Sequence, residues 1–96
     1  MKYALIGCGR ISTNHIKAAL NNQLQIAAVC DILPEAMENL LAKHGLETES
    51  SITRYTDYVT MLDEVRPELV SIAAVPPSSA AIFAATASQV GLASRE

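Results

Sequence analysis

Two glycines, Gly7 and Gly9, stand directly behind the short aliphatic run Tyr3-Ala4-Leu5-Ile6 and in front of a segment with helical spacing. A strand that ends in a glycine turn and feeds a helix presents unpaired N–H groups and the positive end of the helix dipole. That is the chemistry that holds a phosphate or pyrophosphate. Gly7 permits the tight turn, and Gly9 removes the side chain that would keep an anion from the helix N-terminus. The third small position of such a turn holds Ser12, which weakens the helix–strand packing argument and leaves the phosphate site in place. Arg10 falls in the first helical turn, within reach of a phosphate, and the same position suits a surface arginine equally well. A purely structural glycine turn is the competing reading.

A second aliphatic run, Gln25 to Cys30, ends at Asp31, about twenty residues beyond the glycines, where a carboxylate accepts hydrogen bonds from an adenosine ribose. The same carboxylate repels a 2′-phosphate, and Ile32 and Leu33 supply no cation to receive one, so the pattern favours NAD over NADP. Taken alone, Asp31 reads equally as a solvated acid at a strand end. Val75-Pro76-Pro77 follows a later aliphatic run and would form a rigid turn at the same edge of the sheet, bordering a nicotinamide or simply ending the strand.

The remaining reactive side chains have blander readings. His15 sits on the first helix as a packing or surface residue, and His44 is a candidate cation at a helix end. Cys8, between the glycines, reads as a small buried thiol, and Tyr55 and Tyr58 as packing residues. Cys8 and Cys30 have neither CxxC spacing nor a His pair nearby, so neither a metal site nor a disulfide framework is expected, and a reducing cytoplasm is the expected compartment. No Lys, His, Asp or Glu occurs between Leu69 and Ser94. A hydride-transfer site needs a proton donor or acceptor beside its substrate, so no catalytic residue is assigned.

These residues must be positioned by a single domain, since the chain has 96 residues. Half of them are hydrophobic and 18% are charged, which excludes a disordered tail as the main reading. The formal charge of −3 with no basic run argues against a nucleic-acid surface. The apolar start is too short for a signal peptide, and the uncharged stretch from Leu69 to Ser94 is mostly Ala and Ser and broken by prolines, so no membrane span is expected.

Short aliphatic runs alternate with helical spacing. Ile16, Ala19 and Leu20 mark a first helix ended by Asn21-Asn22. Pro34 opens a second carrying Met37, Leu40, Leu41 and His44, with Gly45 as its cap. A short strand around Ile52 to Tyr55 precedes a helix capped by Asp57 and ended by Arg66-Pro67. Leu69 to Ala74 reads as a fourth strand, and Ser78-Ser79 as the start of an Ala-rich helix closed by Gly91. The order β-α-β-α-β-α-β-α predicts an α/β fold, a partial Rossmann fold with a parallel sheet of order 3-2-1-4 and helices on both faces, spanning residues 1–96 and lacking one half. The uncovered edge and the uncharged last helix invite association.

The stretch Ala4-Leu5-Ile6-Gly7-Cys8-Gly9-Arg10-Ile11-Ser12, with Asn14-His15-Ile16 and Ala28-Val29-Cys30-Asp31, resembles the start of the Gfo/Idh/MocA oxidoreductases. Tyr55-Thr56-Asp57-Tyr58, Met61-Leu62 and Pro67 to Ala73 resemble the same family's third strand, third helix and fourth strand, so the likeness covers most of the chain. The Gly-Cys-Gly-Arg-Ile-Ser start with Asn14-His15 is similar to the branch that oxidises UDP-linked N-acetylated amino sugar acids. The resemblance implies that Gly7, Gly9, Arg10 and Ile11 line the pyrophosphate turn, that Asp31 holds the adenosine ribose, and that Ala74, Pro76 and Pro77 border the nicotinamide. It also implies a Glu-Lys-Pro strand end with a catalytic lysine, and a larger second domain that acts on substrate and builds a homo-oligomer. This chain ends at Arg95-Glu96, close to where that motif would fall, and its last helix lacks the family's charged outer face. The expected function is thus the NAD-binding portion of an oxidoreductase for a sugar, cyclitol or nucleotide sugar, incomplete as a catalyst by itself. A non-catalytic dinucleotide-binding module and a non-functional remnant are the alternatives.

Overall fold

In the computed structural model, residues 2–9, 12–73 and 92–95 are described. The strands are β1 (Lys2–Ile6), β2 (Gln25–Cys30), β3 (Thr53–Tyr55), β4 (Leu69–Ile72) and β5 (Leu92–Arg95), and the helices α1 (Ser12–Asn21), α2 (Pro34–Lys43) and α3 (Tyr58–Val65). All neighbouring strands run parallel, in the order β3-β2-β1-β4-β5. The expected 3-2-1-4 arrangement is present and β5 extends it beyond β4, where the sequence reading had placed no strand. Leu92-Ala93-Ser94-Arg95 contains no β-branched or aromatic residue, so its strand character comes from pairing with β4 rather than from local preference. The expected Ala-rich helix lies outside the described residues.

A parallel sheet has to be covered on both faces, and the side chains of β1 divide accordingly. Tyr3 and Leu5 point into one core with Val29 of β2, Ile16 and Ala19 of α1, and Met37, Leu40 and Leu41 of α2. Ala4 and Ile6 point into the other with Ala28 and Cys30 of β2, Val70 and Ile72 of β4, and Met61 and Leu62 of α3. The β1–β2 register slips between Tyr3 and Ala4, which pair with Ile26 and Ala28, so Ala27 is the extra residue of a bulge.

Local chemistry sets the ends of the helices. Pro34 opens α2, and Gly45 with φ 70° follows its C-terminus while Leu46 N–H donates to the Leu41 carbonyl at 2.7 Å, a glycine-based helix stop. Asp57 caps α3 by accepting from Val59 N–H at 3.1 Å and from the Thr60 hydroxyl at 2.9 Å. After α1 the reversal uses no glycine: Gln23 takes φ 57° and Leu24 N–H donates to the Ala19 carbonyl at 2.9 Å. Leu20, expected on the buried stripe of α1, is 43% exposed, and the core contacts of that helix are made by Ile16 and Ala19. Arg54 ties β3 to its surroundings, pairing with Glu38 of α2 and donating to the Glu47 carbonyl at 3.0 Å. Among the described residues no helix is long and apolar enough to cross a membrane.

Both cores are needed to bury the sheet, so a cavity in either should lower stability sharply. Leu41 is fully buried, and Leu41→Ala is expected to cost about 2–5 kcal/mol. Urea unfolding followed by circular dichroism measures this; a single cooperative transition that moves to lower denaturant is the expected result, whereas a non-functional remnant would show no cooperative transition.

Candidate functional site

The carboxyl ends of β1, β2, β3 and β4 come together at one edge of the sheet, and backbone hydrogen bonds continue one residue beyond each ladder. Gly7 N–H donates to the Cys30 carbonyl at 2.7 Å, Asp31 N–H to the Tyr55 carbonyl at 3.0 Å and Ala73 N–H to the Ile6 carbonyl at 2.8 Å. The loops that follow therefore start from fixed points. Between β1 and β4 the chain order reverses, the topological switch point at which open α/β sheets bind ligands.

At that point β1 turns through Gly7, whose φ of 94° is open to glycine and costly for other residues. Gly9 differs. It is exposed, its φ lies outside the left-handed range, and a Cβ built on it meets no atom within 4 Å. Nothing in the fold of the described residues requires glycine there, while an anion approaching the backbone would. Ser12, at the start of α1, is fully buried, and both its N–H, at 3.1 Å, and its hydroxyl donate to the Gly9 carbonyl. The serine in place of a third glycine thus ties the turn to the first turn of the helix.

Asp31 is half-buried just past β2. Its Oδ2 accepts from Cys8 N–H at 2.7 Å and its Oδ1 from Leu33 N–H at 2.9 Å. The glycine turn and the expected ribose acceptor are therefore in direct contact, which brings Gly7, Gly9 and Asp31 into one site. Ile32 and Leu33, beside the carboxylate, are 82% and 53% exposed. Arg10, Ile11, Ala74, Pro76 and Pro77 lie outside the described residues.

A cavity of about 250 Å³ opens beside the turn, lined by Cys8, Gly9, Thr13, Ala36, Asn39, Leu40 and Lys43. Lys43 Nζ donates to Thr13 Oγ1 at 3.4 Å across the gap between α1 and α2. Sequence reading missed this wall; its one signal is that Ala36, Asn39, Leu40 and Lys43 recur at helical spacing.

The thiols beside the site are neutral. Cys8 is pushed up to about 12 by burial first, then by the charge of Asp31 and by Cys30. Cys30 is likewise pushed up to about 12 by burial and the charges of Asp31 and Asp57. Both are free. His44, expected as a cation at the end of α2, is shifted the other way: burial, Lys17 and Lys43 lower its pKa, so the imidazolium is disfavoured there. Among the described residues no cluster of His, Cys, Asp and Glu could hold a metal ion.

A family model described as the oxidoreductase family, NAD-binding Rossmann fold, matches residues 1–92. The chain belongs to the Gfo/Idh/MocA oxidoreductase family. As a Gfo/Idh/MocA chain it is similar to an oxidoreductase from Agrobacterium radiobacter in complex with NAD+, L-tartaric acid and magnesium, with 29% identity and a TM-score of 0.79 over 96% of this chain and 26% of that one. It is also similar to the WlbA dehydrogenase from Bordetella pertussis in complex with NADH and UDP-GlcNAcA, with 25% identity and a TM-score of 0.78 over 98% of this chain and 28% of that one. The scyllo-inositol dehydrogenase from Lactobacillus casei shares the fold, with 14% identity and a TM-score of 0.78 over 100% of this chain and 28% of that one. This Gfo/Idh/MocA chain thus spans between 26% and 28% of the length of these structures. No curated protein matches it.

The raised thiol pKa values set a pH window. The folded chain holds the two thiol protons more tightly than an unfolded chain, whose thiols titrate near the ordinary 9.0. This contribution to stability is complete below pH 9 and is lost as pH rises from 9 through about 12. Stability measured by urea unfolding should fall across that range, with a shallower fall in a Cys8→Ala, Cys30→Ala double variant.

Proposed function

We propose that Gly7, Gly9, Arg10 and Ile11 form the pyrophosphate cradle of NAD, that Asp31 holds the adenosine ribose, and that Ala74, Pro76 and Pro77 border the nicotinamide. The observation that carries this reading is the open space at Gly9, an exposed glycine that neither its backbone angle nor any atom of the described residues within 4 Å accounts for. A pyrophosphate lying against the turn needs that space, and the start of α1 supplies N–H groups and dipole to hold it. The exposed Ile32 and Leu33 offer an apolar platform for an adenine face beside the ribose acid. Asp31 disfavours a 2′-phosphate, which places NAD ahead of NADP.

The whole protein of which such a domain forms part is, on this reading, a homo-oligomeric oxidoreductase of a sugar, cyclitol or nucleotide sugar. When bound, NAD supplies the hydride acceptor. The role of this chain's residues is to grip the adenosine diphosphate half and fix the direction in which the nicotinamide ring extends. The likeness to WlbA, whose complex holds UDP-GlcNAcA, favours a nucleotide-sugar acid as substrate. The free, buried thiols fit a reducing compartment such as the cytoplasm.

Calorimetric titration tests the cradle. The chain should bind NAD, NADH and ADP-ribose, and NADP more weakly. Gly9→Val should weaken all three by about tenfold or more by filling the space for the pyrophosphate, with little change in melting temperature because a Cβ there meets no atom of the described residues within 4 Å. Equal affinity of the variant and the parent chain would overturn the reading.

A further inference from the structure

The proposed cradle works only if the turn keeps its amides in place, and among the described residues the Asp31 carboxylate is one of the groups that does so. Among the described residues, no atom lies within 4 Å of the position of the side chain that Gly9 lacks. Besides the Gly7 bond to the Cys30 carbonyl and the Ser12 bonds to the Gly9 carbonyl, the middle of the turn is held from outside by the Asp31 carboxylate. Oδ2 takes the Cys8 amide at 2.7 Å, and Oδ1 takes the Leu33 amide at 2.9 Å, immediately before Pro34 opens α2. One side chain therefore joins the loop after β1 to the loop after β2.

A carboxylate oxygen has two acceptor positions. With one amide on each oxygen, Asp31 keeps a second position on each for a ribose hydroxyl, so gripping the loops and gripping the ribose do not compete. Asparagine cannot reproduce this, because its amide nitrogen would face one of the two backbone N–H groups. From this geometry, and resting on the reading of the site as a dinucleotide cradle, we infer that Asp31 is also a positioning residue for the pyrophosphate turn. Its carboxylate shapes the backbone at Cys8 and thereby supports ligand groups that it does not touch.

The two roles separate with ligands that lack the ribose hydroxyls. ADP and 2′,3′-dideoxy-ADP are titrated calorimetrically against the parent chain, Asp31→Asn and Asp31→Ala, and the Cys8 amide is followed by NMR in the ligand-free proteins. Positioning predicts that both substitutions weaken dideoxy-ADP by about tenfold, the scale of one lost charge-assisted hydrogen bond, and that the Cys8 amide proton shifts upfield and exchanges faster. A residue that only holds ribose would leave dideoxy-ADP affinity and the Cys8 amide unchanged, which overturns the positioning role while the cradle stands. A parent chain that binds neither nucleotide overturns the cradle and the positioning role together. Should Asp31→Ala fail to fold, Asp31→Asn, which keeps the side-chain shape, carries the same comparison.

Discussion

A parallel sheet exposes no face to water, so each of its strands has to find apolar cover on two sides. In this chain the demand falls hardest on β1, which lies between β2 and β4 with Tyr3, Ala4, Leu5 and Ile6 all buried. The described helices all return to that strand: α1 and α2 meet Tyr3 and Leu5 on one face, α3 meets Ala4 and Ile6 on the other. Connections that cover both faces and keep the strands parallel start at the carboxyl edge of the sheet. The backbone groups left over there, and the loops that begin from them, are what a ligand can meet. The location of the site is thus a consequence of how the core is closed.

Much of this was legible in the sequence because it depends on local chemistry or on simple periodicity. The nearly continuous apolar runs at Tyr3–Ile6, Gln25–Cys30 and Leu69–Ala74 are the signature of strands buried on both faces, and β1, β2 and β4 (Leu69–Ile72) form in them. The Met37, Leu40 and Leu41 stripe and the caps at Pro34, Gly45 and Asp57 act within their own helices and are found as read. What could not be read depends on the rest of the fold. Gln23 reverses the chain at a positive φ with no glycine to announce it, and the strand at Leu92–Arg95 rests on a partner. The direction of the His44 shift is set first by burial and then by Lys17, a residue of another helix.

The site divides in the same way. Glycines at 7 and 9 and an acid at 31 are a pattern that spacing reveals. The sequence assigns the tight turn to Gly7 and the close approach of an anion to Gly9, and the structure gives each a separate geometry, a positive backbone angle at Gly7 and open space beside Gly9. For Asp31 the sequence offers only an outward task. Its hydrogen bond to the Leu33 amide is local to its own loop, while its bond to the Cys8 amide follows from the β1–β2 register, which pairs Ile6 with Cys30 and so starts the two loops side by side.

The same geometry accounts for Ser12 where a third glycine would be expected. A glycine at that position serves close approach between helix and strand, and a side chain there has to be small and must satisfy any polar atom it buries. The serine is fully buried, so an unpaired hydroxyl would be costly. Its bond to the Gly9 carbonyl removes that cost and ties the turn to the start of α1. Asp31 holds the Cys8 amide just before Gly9 and Ser12 holds the Gly9 carbonyl, leaving that glycine open to the outside with its backbone fixed from within.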